Sequence, residues 1–150
     1  MLPGSLELAE RLLAHPGAPA YGAVSALMSL RAAGRILRRV GNEVFWPRPD
    51  VASAVVRLEF KPWGDPSRDR QGADADRLLT RAAQMPAPLR REEAEPFQRF
   101  LQKLFSHRRK MLRAVLGNTA VLETLRLLPT ARAEELPPET LLALFRLVHR

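Results

Sequence analysis

Two groups of residues have types and spacings suited to chemistry. Along the segment 97–116, Arg99, Lys103, Ser106, His107, Arg109, Lys110 and Arg113 gather on one side of a helical wheel, opposite an apolar stripe. Cations in that arrangement can track a phosphate backbone, since each neutralised phosphate releases condensed counterions and adds salt-sensitive affinity. The same face would serve equally as solvated surface whose terminal cations complement a helix dipole. Arg108 falls on the apolar side, where an unpaired charge is costly, so Glu134 or Glu135 is the expected partner. The second group is Phe45-Trp46-Pro47-Arg48-Pro49-Asp50-Val51. Two prolines spaced by one residue stiffen an extended turn and restrict the aromatics before them. A rigidly held ring is a platform for stacking an extruded base; it is also what covers a core where a strand begins.

The elements that must position these groups follow from periodicity. Leu6, Leu8, Ala9, Leu12 and Leu13 predict a short helix over 5–14, with Ser5 as N-cap and Pro16-Gly17 as its stop. The small apolar run 21–30 and the stretch 36–40 after Gly34 suit either strands or a helix and a strand. Val51 to Phe60 alternates in a β-branched run and predicts a strand with at least one buried face. From Lys61 to Pro96, prolines and glycines among mixed charges predict a linker, with a helix over 74–84 inside it. Phe97, Phe100, Leu101, Leu104, Phe105, Leu112, Val115 and Leu116 predict one long helix that stops at Gly117-Asn118, followed by helices over 120–128 and 138–149.

Composition bounds the rest. The 150 residues, 46% of them hydrophobic, suffice for one ordinary domain or two small ones. No cysteine is present, which excludes disulfides and thiolate metal sites, and no metal site is expected. No leader pattern or long apolar span occurs, so a soluble, cytoplasmic chain with no membrane partner is expected. The net charge of +8 comes from 24 Lys and Arg against 16 Asp and Glu. Mostly arginine, this excess suits phosphate recognition and so a nucleic-acid partner, although a GC-rich genome would leave the same mark.

Taken in order, several of these segments resemble one family. Phe45-x-Pro47-x-Pro49-x-Val51-x-Ser53-Ala54-Val55-Val56, preceded by Glu7-Leu8-Ala9-Glu10-Arg11-Leu12 and Tyr21-Gly22-Ala23-Val24-Ser25, resembles the ribosomal RNA adenine dimethyltransferases. Leu104 to Arg113 is similar to that family's Arg-Arg-Lys helix, and Arg132-Ala133-Glu134-Glu135-Leu136 with the segment 142–145 to its closing helices. The resemblance implies transfer of two methyl groups from S-adenosylmethionine to each of two adjacent adenines of small-subunit ribosomal RNA. It also implies that Phe45, with Pro47 and Pro49, flanks the flipped adenine, and that Lys103, Arg108, Arg109, Lys110 and Arg113 lie along the RNA.

The family's donor pocket needs a Gly-x-Gly turn and its catalytic loop an Asn-Leu-Pro-Tyr type sequence; neither occurs, and Asn42-Glu43-Val44-Phe45 lacks the shaping proline. No complete catalytic set and no binding of S-adenosylmethionine to this chain alone are therefore expected. Where the family usually has glutamine the sequence has Ser5 and, at a second place, Ser29, and Leu2-Pro3-Gly4 stands where a hydrophobic strand is usual. The resemblance thus implies an α/β remnant, the last strands of a Rossmann-like methyltransferase sheet over 1–61, a linker over 62–87 and a small all-helical RNA-binding domain over 88–150. Such a chain would be a gene fragment, a protein begun anew at Met1, or half of a split enzyme. Its expected partners are small-subunit ribosomal RNA or a pre-ribosomal subunit, and a separately encoded donor domain. A non-catalytic RNA-binding or ribosome-assembly module is the alternative, and half a parallel sheet with an open edge for another protein a third.

Overall fold

The computed structural model describes residues 2–64, 88–107, 110–117 and 120–149; the helix expected over 74–84 lies outside them. Strand β1 (Leu2–Ser5) leads directly into helix α1 (Leu6–Leu12), and the Ser5 hydroxyl caps that helix by accepting from the Leu8 amide at 3.2 Å. Helix α2 (Ala23–Arg31) resolves the ambiguous small apolar run, and β2 (Ala32–Val40) follows without a break. A 3₁₀ turn (Asn42–Val44) opens the loop to β3 (Ser53–Phe60). The second half is built from α3 (Ala94–Ser106), α4 (Leu112–Leu116), α5 (Ala120–Thr124) and α6 (Pro138–Val148). Among the described residues no helix is long and apolar enough to cross a membrane.

The three strands form one sheet in the order β1-β3-β2, with both pairings antiparallel. A parallel half-sheet is therefore not what these strands make: the loop 41–52 returns β3 alongside β2 as a hairpin, and no crossover is needed. Burial is sparse on this sheet. Along β3 only Ala54 is fully buried, so the expected buried face is a partial one. Helix α1 lies against the sheet: the Leu6 amide donates to Ala52 O at 2.9 Å, and Arg39 pairs with Glu10 at 3.1 Å. The missing Cβ of Gly34 admits side chains of Leu13 and Leu58 to the backbone of β2.

The apolar weight lies elsewhere. Phe97, Phe100, Leu101 and Leu104, spaced 3, 4 and 7 residues along α3, are all buried and meet Leu141, Leu142, Leu144 and Phe145 of α6. Each such side chain contributes roughly 1.5–3 kcal/mol of burial free energy. The cluster crosses the expected linker, since Tyr21 and Ala26 of the first half belong to it. Tyr21 is fully buried, donates its hydroxyl to Leu136 O at 3.0 Å and packs edge-on against Phe105. Buried Ser25 ties α2 to α1, accepting from the Gly22 amide and donating to Arg11 O. After β3, the Arg31 guanidinium stacks on Trp63 at 3.3 Å, and the Gly64 amide donates to Leu89 O at 3.0 Å. A Cβ on Gly64 would lie 2.5 Å from Pro88 O, so only glycine permits that approach.

Three expected boundaries are corrected. The linker does not run to Pro96, because α3 begins at Ala94; proline is tolerated in a first turn, whose amides have no intrahelical acceptor. The long helix over 97–116 is two helices. It ends at Ser106, and the amide of Leu112 donates to Ala131 O at 2.9 Å instead of to its own preceding turn. The helix expected over 120–128 is likewise short, ending at Thr124, with Arg126 at positive φ beyond it.

Candidate nucleic-acid interface

The proline-braced segment is the hairpin loop between β2 and β3. Phe45 leaves the 3₁₀ turn in extended conformation, at φ −109° and ψ 148°, and the Trp46-Pro47 peptide is cis. Asn42 cross-braces the loop: its Nδ2 donates to Pro49 O at 3.2 Å, and its Oδ1 accepts from Arg48 Nη2 at 3.0 Å. Phe45 is 38% exposed and Trp46 97% exposed, so neither belongs to the buried core. Pro47 is exposed and Pro49 half-buried.

The cationic segment is less regular than its helical wheel implies. Lys103 is exposed on α3, Lys110 sits in the break, and Arg113 is exposed on α4, so these three do not share one helix face. Arg108 and Arg109 lie outside the described residues, and with them the expected pairing of Arg108 with Glu134 or Glu135. Between α3, α4 and α6 runs an open groove of about 430 Å³, with Phe100, Leu104 and Leu116 as its apolar lining and Arg99, Lys103 and His149 among its polar lining. Arg99 is itself 3.5 Å from Glu95, in an exposed pair of little energetic weight.

A second set of arginines escaped the sequence reading. In the β2/β3 register, Arg35 faces Arg57 and, past a bulge at Ile36/Arg38, Arg38 faces Val55. Cross-strand partners share a face, so Arg35, Arg38 and Arg57 stand on the side opposite Arg39, which turns toward Glu10 of α1. Arg57 is partnered by Glu59 at 2.8 Å; Arg35 and Arg38 are exposed and have no ion-pair partner among the described residues. The alternation Arg35, Leu37, Arg39 was visible in the sequence, but the bulge that brings Arg38 to Arg35's face was not. Nor does the sequence mark Asn42 as a brace, because both of its bonds close across the loop, to Pro49 and Arg48.

Among the described residues two titratable groups are perturbed, and both are structural. Burial, with the nearby charge of Glu139, pushes the Tyr21 hydroxyl far above its ordinary range, which keeps it a neutral donor. Glu93 is penalised by burial, yet hydrogen bonds and charge from Arg146 and Arg90 outweigh this and hold its carboxyl below the ordinary range. Neither sits on the loop or the arginine face. Among the described residues no three His, Cys, Asp or Glu side chains cluster as metal ligands. Gly22, the glycine that opens α2, gives its amide to Ser25 Oγ at 3.1 Å, so that amide is engaged within the helix's own first turn.

Comparison with known proteins bears on the same segments. A family model described as ribosomal RNA adenine dimethylase matches residues 1–70. A ribosomal RNA small subunit methyltransferase A from Novosphingobium aromaticivorans is 36% identical over 147 residues, covering 95% of this chain and 45% of that protein. Another from Synechococcus sp. (strain JA-3-3Ab) is 39% identical over 145 residues, covering 92% and 43%. Among solved structures, a dimethyladenosine transferase from Plasmodium falciparum superposes with TM-score 0.65 at 21% identity, covering 95% of this chain and 55% of that one. The 23S rRNA methyltransferase ErmE does so with TM-score 0.56 at 17% identity, over 99% and 53%, a likeness of fold alone. The chain spans less than half the length of these curated relatives.

Proposed function

The chain belongs to the ribosomal RNA adenine dimethylase family, and from that membership we propose that it is the RNA-gripping part of an adenine N6,N6-dimethyltransferase. It binds small-subunit ribosomal RNA and helps hold the target adenine, while methyl transfer requires a donor half whose motifs these residues do not contain. The observation that carries this reading is the hairpin loop: the motif shared with the family is built as an exposed, cross-braced aromatic rather than as core.

In this arrangement the ring of Phe45 stacks on the extruded adenine, and Pro47 and Pro49 keep the ring from collapsing onto the sheet. Lys103, Lys110 and Arg113, with Arg108 and Arg109, neutralise phosphates along the RNA. The region 88–150 acts as a helical RNA-binding domain, and 62–87 links it to the sheet. S-adenosylmethionine supplies the methyl group in this family; the residues here bind and orient RNA and hold no part of the donor. The partner is a small ribosomal subunit or its precursor in the cytoplasm, together with a donor domain.

The test combines purified chain, undermethylated small subunits and labelled S-adenosylmethionine, with and without a donor half from a relative. RNA binding by the chain and methylation only in the two-part mixture are expected. Methylation by the chain alone would overturn the division of labour. RNA binding that never leads to methylation would favour a non-catalytic assembly module, and no RNA binding would overturn both.

A further inference from the structure

We propose that Trp46 is a second nucleotide-stacking platform, receiving an unpaired base next to the one assigned to Phe45, while Arg35, Arg38 and Arg57 on the adjoining hairpin face take the strand's phosphates. The inference rests on the RNA reading above and extends it to a different residue and a different surface. At 97% exposure Trp46 is the most exposed large apolar side chain described, and no packing in the fold accounts for it. It is nevertheless carried on a braced loop, because Asn42 ties Arg48 and Pro49 together across the turn. Holding the loop in one shape lowers the ordering cost of a contact made there.

Direction separates the two rings. Phe45 is extended, so its neighbour's side chain leaves on the other side of the backbone, and the two cannot sandwich one base. Phe45 is therefore the ring turned partly toward the protein, and Trp46 the ring turned to solvent. Charge selects the occupant. On the loop and its two strands the exposed acids, Glu43, Asp50 and Glu59, are outnumbered by the exposed Arg35, Arg38, Arg39, Arg48 and Arg57, of which Arg57 is paired with Glu59 and Arg39 with Glu10. An indole on the loop that joins two arginine-bearing strands offers the combination that single-stranded nucleic acid uses: a sequence-tolerant π surface plus backbone neutralisation. A duplex keeps its bases stacked inside and offers the ring nothing.

Trp46 can report on itself, since the chain has two tryptophans and Trp63→Phe leaves it as the only one. The full chain carrying Trp63→Phe is titrated with a short single-stranded oligoadenylate and with an RNA duplex of the same length, following tryptophan emission. Quenching by the single strand and little change with duplex are expected. Trp46→Ala should weaken single-strand binding by about tenfold, Trp46→Phe by much less, and both should melt as the parent does. Unquenched emission with unchanged affinity in Trp46→Ala would overturn this proposal and leave the RNA reading standing. Absence of binding to either RNA would overturn both together. Loss of self-association in Trp46→Ala, measured by sedimentation with RNA affinity unaltered, would make the surface a protein contact and overturn the stacking role.

Discussion

The two halves of the chain spend their large side chains in opposite ways. In the helical half, Phe97, Phe100, Leu101 and Leu104 all point into one cluster, and the sequence there answers to packing. In the hairpin, Val44, Phe45, Trp46, Val51 and Phe60 are exposed while only Ala54 is fully buried on β3. A side chain that contributes nothing to the core must be accounted for by solvent or by a partner. On the proposed reading the binding surface lies where stability is not at stake, and the substitutions that test it should show large effects on folding in one half and small ones in the other.

The largest effect is expected at Phe97, fully buried against Phe100 and Phe145. Phe97→Ala should cost about 3–5 kcal/mol, a fall in Tm of roughly 6–20 °C for a chain of this size. Trp46→Ala should change stability by less than about 0.5 kcal/mol. Equal losses in thermal unfolding would erase the distinction between the halves.

Next in size is the ion pair that pins α6 to the entrance of α3. Arg146 reaches both carboxylate oxygens of Glu93, at 2.7 and 2.8 Å, and also Pro88 O at 3.0 Å, with both partners largely shielded. Arg146→Ala leaves that carboxylate without its main counter-charge and should cost about 2–4 kcal/mol. Because the folded state holds the Glu93 carboxyl below the ordinary range, it binds that proton less readily than the unfolded chain. The stabilisation is therefore complete above the ordinary carboxylate value and is lost as pH falls through the lowered one. Glu93→Gln should flatten that acid limb in a series of melts below the ordinary carboxylate range, and an unchanged limb would assign acid sensitivity to other groups.

What the sequence disclosed divides along the same line. The Ser5 cap, the strand ending at Phe60 and the helix over 138–148 were legible because local chemistry decides each: a hydroxyl before an apolar run, β-branched alternation, and a proline in the first turn. The break after Ser106 was not. Apolar spacing reads straight through it, and the deciding event is a bond from the Leu112 amide to Ala131, a residue far along the chain. The proposed site divides in the same way. Its aromatic loop was readable from two prolines, whereas the shared face of Arg35, Arg38 and Arg57 depends on a bulge and a register that no single segment encodes.

A smaller and purely electrostatic effect tests whether the broken cationic segment still acts as a unit. Changing Lys103, Lys110 and Arg113 together to Ala should leave Tm nearly unaltered and reduce the slope of log affinity against log salt by about three, roughly one per phosphate contact. All three are exposed, so little packing is lost. A slope unchanged in the triple variant but reduced by Arg35→Ala with Arg38→Ala would move the RNA path from the helices to the hairpin.

A small expected effect on folding is the most telling, because Phe45 lies between the two regimes. Its ring is 38% exposed, outside the core cluster, on a loop whose shape is set by Asn42, Pro47 and Pro49 rather than by the ring itself. Phe45→Ala should therefore cost less than about 1 kcal/mol, well under the roughly 3–5 kcal/mol of a buried phenylalanine, and shift Tm by no more than about 4 °C. In the two-part enzyme the same change should lower methylation while RNA affinity, carried mainly by cations, stays close to the parent's. A large stability loss would make Phe45 the edge of the core, and the exposed hairpin would then begin at Trp46. Near-parent melting with full methylation would leave the ring without a role in holding adenine, and the cross-brace by Asn42 would then serve only to shape the turn.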